Sequence, residues 1–151
     1  MPRLTIQSPL GPLTLTAEAG ALTALDWGTR EADGRDPVLD AAAAQLAEYF
    51  AERRRDFDLP LRPAGTPFHR RVWNALTEIP GGTVVTYGAL ARRLGSVARA
   101  VGGACGANPL PIVIPCHRVV AAGGAGGYSG KGGLATKAWL LDFEAGVRTL
   151  L

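Results

Sequence analysis

The stretch DFDLPLRPAGTP, residues 56–67, packs three prolines and a glycine between two halves of different rhythm. Proline fixes φ and lacks a backbone donor, so a run this dense ends a helix and cannot lie inside a central strand. The chain must run extended here. Before it, RLTIQS, PLTLTAE and ALTALDW alternate with period two and are separated by the turns SPLGP and EAG. That pattern predicts a small antiparallel sheet. DAAAAQLAEYFAERR then predicts a helix, with Asp40 as its cap and Leu46, Tyr49 and Phe50 on one face.

After the connector the period is helical. FHRRVWNALTEI places Phe68, Val72, Leu76 and Ile79 on one face. TVVT predicts a short β run. A helix follows from about Thr86 to Leu94, ended by Gly95, and Ser96 can cap the next, SVARAVGGAC. Helix, tight turn, helix is a helix-turn-helix pattern, one shared by many helical hairpins. LATKAWLLDFEAG predicts a last helix whose core face takes Leu134, Leu141 and either Trp139 or Ala138. We expect residues 1–62 to form one domain and 63–151 another, an α+β chain.

The second of the paired helices is nearly bare. Ala98, Ala100, Gly102, Gly103, Ala104 and Gly106 leave Arg99 as its one long side chain. Glycine inside a helix costs about 1 kcal/mol relative to alanine. Either the helix packs closely within the protein, or it lies close against something outside it.

Charge is unevenly divided. Residues 1–62 hold seven arginines and ten carboxylates, a net −3, whereas 63–151 hold seven arginines, two lysines and three carboxylates, a net +6. Glu78 is the only acid between Arg70 and Arg118. A basic half fits a polyanionic partner such as nucleic acid. It also fits the solvated surface of an arginine-rich chain.

Other classes are disfavoured. No run of about 18 apolar residues is present, so no membrane-spanning helix is expected. MPRLTIQSPLG has no apolar leader core and there are two cysteines, which points to a reducing cytoplasm. No Cys/His cluster offers four ligands to a metal. The glycine-rich AAGGAGGYSGKGG has no GxGxxG and no βαβ context, so it reads as a loop or lid. No cofactor is expected, and the chain is expected to be a monomer.

PIVIPCHRVV, residues 111–120, sets a thiol beside an imidazole. A cysteine is a strong nucleophile as its thiolate and needs a base or a positive environment. In a strand, Cys116 and His117 would point to opposite faces. A bend at Pro115 would let a water bridge them. An orienting carboxylate would come from Glu78, Asp142 or Glu144. The plainer alternative is a buried cysteine beside a satisfied core histidine.

PCHRV, preceded by ARAVG and NP and followed by GYSG and WLLDFE, resembles the O6-alkylguanine-DNA alkyltransferases. YF, LPL, GTPF, RVW, IP and TYG extend the likeness over the whole chain. The resemblance implies an RNase H-like α/β N-terminal domain and a winged-helix-like C-terminal catalytic domain with a helix-turn-helix. It implies a single-turnover repair reaction on duplex DNA bound through the minor groove. O6-alkylguanine, with O4-alkylthymine as a second substrate, is flipped out, and its alkyl group passes irreversibly to Cys116. His117 would act through water as the base, oriented by Glu144. Asn108 would brace the turn before the active-site strand. Tyr87 would donate to the leaving guanine and crowd the target phosphate. Arg99 would fill the gap in the duplex, on a helix whose Ala98, Ala100, Gly102 and Gly103 fit the narrow groove. Main chain at Val119 and Cys116 would read the guanine amino group, with Tyr128 and Ser129 over the alkyl side.

The chain departs from that pattern in three places. The GSVA turn is shorter and lacks the usual proline. GYSGKGGLATK is longer than the common form. Gly106 stands where some members carry arginine. The N-terminal half lacks the cysteine pair that binds structural zinc in some relatives. The competing readings are a non-catalytic binder of alkylated DNA, in which the cysteine is usually replaced by tryptophan, a Cys-His hydrolase, and a sequence-dependent DNA-binding regulator.

Overall fold

The computed structural model describes residues 1–124, 126 and 133–146. The chain divides into two compact units, Met1–Ala64 and Gly65–Leu151.

In the first unit, β1 (Arg3–Ile6), β2 (Leu13–Glu18) and β3 (Ala21–Trp27) form an antiparallel sheet in that order. Leu4 pairs with Leu15, and Leu15 with Leu25. The central strand is buried on both faces. Leu13, Leu15 and Ala17 are apolar, and the opposite face holds Thr14 and Thr16. Thr14 is satisfied there, since its hydroxyl lies 2.8 Å from Thr5 Oγ1 and donates to the Gly28 carbonyl at 2.9 Å. The proline connector runs along the free edge of β3. Pro60 O accepts from Leu22 N–H, and Arg62 N–H donates back to Leu22 O, both at 2.8 Å. Pro63 lies beyond this exchange, and Pro60 needs only its carbonyl.

Helix α1 (Pro37–Phe50) covers the sheet with Val38, Leu39, Ala42, Leu46 and Tyr49. Its cap is Asp36, not Asp40. Asp36 Oδ1 accepts from Val38 N–H at 3.0 Å, and Pro37 fills the first helical position. Asp40 lies in the first turn, where a carboxylate suits the helix dipole.

The second unit begins with α2 (Pro67–Thr77), capped by Thr66. Val72, Trp73 and Leu76 are buried, and Phe68 is half-buried. Trp73 Nε1–H donates to Ala104 O at 2.8 Å. This fastens α2 to α4 (Ala98–Gly106). Between them, β4 (Val85–Thr86) leads into α3 (Tyr87–Leu94), capped by Thr86 and ended by Gly95 at φ 65°. Ser96 does not cap α4. Its N–H closes the end of α3 on Ala91 O at 2.9 Å, so the cap position falls on Val97, which makes no side-chain cap bond.

β5 (Val119–Val120) runs parallel to β4, pairing Val85 with Val119. Helix α5 (Leu134–Glu144) closes the unit. Its core face differs from the expected one. Lys137, Leu140 and Glu144 are buried, Leu134 and Ala138 are exposed, and Trp139 and Leu141 are half-buried. Two of the three inward residues are charged, so an apolar period could not locate this face. No helix among the described residues is long and apolar enough to cross a membrane.

Candidate active site

Cys116 does not lie in a strand. Pro115 sits at φ −81°, ψ 66°, the geometry of an inverse γ-turn, with Cys116 N–H bonded to Ile114 O at 2.8 Å. Cys116–Arg118 then form a 3₁₀ turn that runs into β5. Three residues per turn fan the side chains around an axis instead of alternating them across a plane.

Asn108 holds the approach to this turn. Its Oδ1 accepts from Leu110 N–H at 2.9 Å and its Nδ2 donates to Ile114 O at 2.8 Å. Leu110 O in turn accepts from Ile114 N–H at 2.8 Å. Inside this clasp Ile112 is fully buried at φ 74°. A β-branched residue in the left-handed region is strained, and it persists only when its surroundings fix it.

Cys116 and His117 are both buried. His117 Nε2 lies 2.9 Å from Glu144 Oε1. Nδ1 of the same ring is buried and meets no protein hydrogen-bond partner among the described residues. Arg118, also buried, grips Glu144 with two bonds, Nε to Oε1 at 2.9 Å and Nη2 to Oε2 at 2.7 Å. Its Nη1 donates to Ile79 O at 2.6 Å. Burial opposes ionisation of Glu144, but His117 and Arg118 outweigh it and hold its carboxyl down at about 2. Burial pulls His117 below its ordinary range, against the pull of Glu144. Burial pushes the Cys116 thiol up, while Asn108 and the Lys137 ammonium oppose this.

Lys137 was not foreseen as part of this cluster. It is fully buried, and its Nζ donates to Val119 O at 2.7 Å and to Tyr87 Oη at 3.4 Å. The ammonium also lies 5.5 Å from the centre of the Tyr87 ring. Burial lowers its pKa, and the thiols of Cys116 and Cys105 act the other way. Lys137 thus links Tyr87 on α3 with Val119 on β5. Gly126 lies close to the same phenol, where a Cβ would stand 2.8 Å from Tyr87 Cε2.

Arg118 was likewise missed, although it is part of the CHR motif. The signal available was spacing: residues 137, 140 and 144 share a helical face, and an acid buried there needs a cation. Tyr128 and Ser129 lie outside the described residues.

On α4, Ala98, Arg99 and Gly103 are exposed, and Ala100 and Gly102 are half-buried. A Cβ added at Gly102, Gly103 or Gly106 would meet nothing within 4 Å. Packing among the described residues therefore does not require these glycines. Cys105 and Cys116 are both free thiols, and the described residues form no cluster able to hold a metal.

Residues 67–146 match the DNA-binding domain of 6-O-methylguanine DNA methyltransferase, and residues 3–63 match the ribonuclease-like domain of the same protein. The chain is 39% identical over 149 residues to the methylated-DNA–protein-cysteine methyltransferase of Methanosarcina acetivorans, spanning 91% of this chain and 94% of the relative. It is 40% identical over 154 residues to the constitutive enzyme of that name from Bacillus subtilis, spanning 93% of each. A crystal structure of Mycobacterium tuberculosis OGT in complex with DNA superposes with a TM-score of 0.86 at 40% identity, covering 97% of this chain and 94% of that one. With both halves matched and about two residues in five identical to these relatives over more than nine-tenths of its length, the chain belongs to the 6-O-methylguanine DNA methyltransferase family.

Proposed function

We propose that this protein repairs O6-alkylguanine in duplex DNA by taking the alkyl group onto Cys116, once per molecule. The observation that carries this is the buried line from the Cys116 turn through His117 to Glu144, braced by Arg118. A buried Glu–His pair has no structural need of a neighbouring thiol, whereas alkyl transfer does.

Burial pushes the Cys116 thiol up against the pull of Asn108 and Lys137, so the reaction needs a base for the thiol proton. As the flipped base enters, Cys116 Sγ attacks the alkyl carbon in line with the O6–carbon bond. The S–C bond forms, the C–O bond breaks, and its electron pair moves onto the guanine. The thiol proton passes by way of a water to His117 Nδ1, and Glu144 stabilises the imidazolium. The guanine gains one proton from Tyr87, which recovers it from solvent. His117 then releases the thiol's proton to solvent, so the balance is one alkyl group exchanged for one proton. The product is a thioether, a bond stable to hydrolysis.

The duplex is held through its minor groove. Arg99 fills the gap left by the flipped base, and Ala98, Ala100, Gly102 and Gly103 lie close to the groove floor. Main chain at Val119 and Cys116 reads the guanine amino group. O4-alkylthymine is a second substrate. The protein acts as a cytoplasmic monomer without a cofactor.

The test is to follow the DNA. Excess duplex bearing one O6-methylguanine is incubated with the protein, and its nucleosides are separated by chromatography. Guanine should be restored up to one equivalent of protein and no further. Continued turnover with release of methanol would instead mark a Cys-His hydrolase.

A further inference from the structure

Arg92 sits in the last turn of α3, yet its guanidinium does not serve that end of the helix. A Cβ built on Gly88 would stand 3.6 Å from Arg92 Nη1. The side chain therefore runs one turn back toward the helix start, the direction helical side chains take. It ends beside the residue that follows Tyr87. That end of a helix is the positive end of its dipole, and the first turn of α3 has no acidic residue to receive a cation. The helix itself gives no reason for a guanidinium there.

The neighbouring arginines have partners within the fold. Arg93 leans toward Glu78, with Nη2 to Oε2 at 3.9 Å, and Arg71 donates to Leu94 O at 2.8 Å. Arg92 is exposed, and its side chain makes no ion pair or hydrogen bond with a described residue.

We propose that Arg92 binds a backbone phosphate of the duplex next to the flipped nucleotide, on the side guarded by Tyr87. This rests on the repair reading for its partner, DNA. A guanidinium suits the task, since its planar fork can hold two phosphate oxygens at once.

The experiment uses the full chain and two substrates, duplex DNA bearing one O6-methylguanine and free O6-benzylguanine base. For Arg92→Ala, the ratio of the DNA rate to the free-base rate should fall about tenfold, the worth of one charged hydrogen bond. The slope of log affinity for unmodified duplex against log salt should become shallower by about 0.9, one phosphate contact. Arg92→Lys should restore the slope and part of the ratio. An unchanged ratio and slope would overturn the proposal, as would an equal loss on both substrates, which marks a structural defect. If the wild type transfers nothing to Cys116, the repair reading fails by itself. The salt slope on unmodified duplex still decides for or against Arg92.

Discussion

The Lys137 ammonium is bonded to the main-chain carbonyl of Val119 at 2.7 Å, and both groups are fully buried. Its charge draws the Cys116 thiol down, against the burial that raises it. Lys137→Met removes that charge while keeping most of the volume. Methyl transfer should slow at least about tenfold, a barrier increase of roughly 1.4 kcal/mol. The rate of the variant should still be climbing at alkaline pH where the wild type has levelled. Stability should change less, because the relief of burying a charge offsets the bond lost at Val119. Equal rates across pH would remove Lys137 from the reaction.

Gly126 sits at φ 77° beside the Tyr87 phenol, where an added Cβ would stand 2.8 Å from Cε2. Gly126→Ala would press a methyl into the ring and strain the backbone. We expect transfer to fall about 10- to 100-fold, because small displacements of a positioned group are costly. In a Tyr87→Phe background the same change should do far less, since the hydroxyl it displaces is gone. Additive losses in the double variant would show that Gly126 acts elsewhere.

At Gly103 an added Cβ would meet no described atom within 4 Å. Gly103→Leu should therefore raise stability, by about 0.8 kcal/mol from helix propensity. Affinity for duplex DNA should fall, because the added bulk meets the groove. A thermal unfolding curve and a binding titration together decide it. Gained stability with unchanged DNA affinity would turn α4 away from the duplex.

Glu144 titrates at about 2 in the folded chain, below its ordinary 4.5. The unfolded chain binds the proton more readily, so this group's stabilisation is present above pH 4.5 and is lost as pH falls toward 2. It is on the order of 3 kcal/mol. His117, held below its ordinary 6.5, adds to the same trend by taking a proton in the unfolded chain first. Urea midpoints should fall steadily from neutral pH downward. Glu144→Gln should be less stable at neutral pH, since Arg118 loses its partner, and its midpoint should vary less below pH 4.5. Parallel curves for the two proteins would contradict this.

What could be read from the residues, and what could not, follows from where charge is buried. The connector of residues 56–67, the alternating strands and the Thr86–Gly95 helix carry local signals, because proline, period and αL glycine act on their own neighbours. A bend at Pro115 was foreseeable for the same reason. The cap of α1 was misplaced because Asp36 and Asp40 are both good caps, and Pro37 decides between them. Ser96 was misread because its own N–H is spent closing α3. Lys137 and Arg118 escaped notice for a different reason. Each is buried only because a partner elsewhere in the chain receives it, and hydropathy ranks both as surface residues. Ile112 has no local signal, since its left-handed backbone is imposed by the Asn108 clasp around it.

The central claim is that Cys116 ends the reaction carrying the alkyl group. The direct measurement is the intact mass of the protein after incubation with duplex DNA holding one O6-methylguanine, followed by peptide mapping. A gain of one methyl, confined to Cys116 and saturating at one equivalent, is the expected result. Restored guanine with an unmodified protein, or a methyl mapped to Cys105, would contradict it.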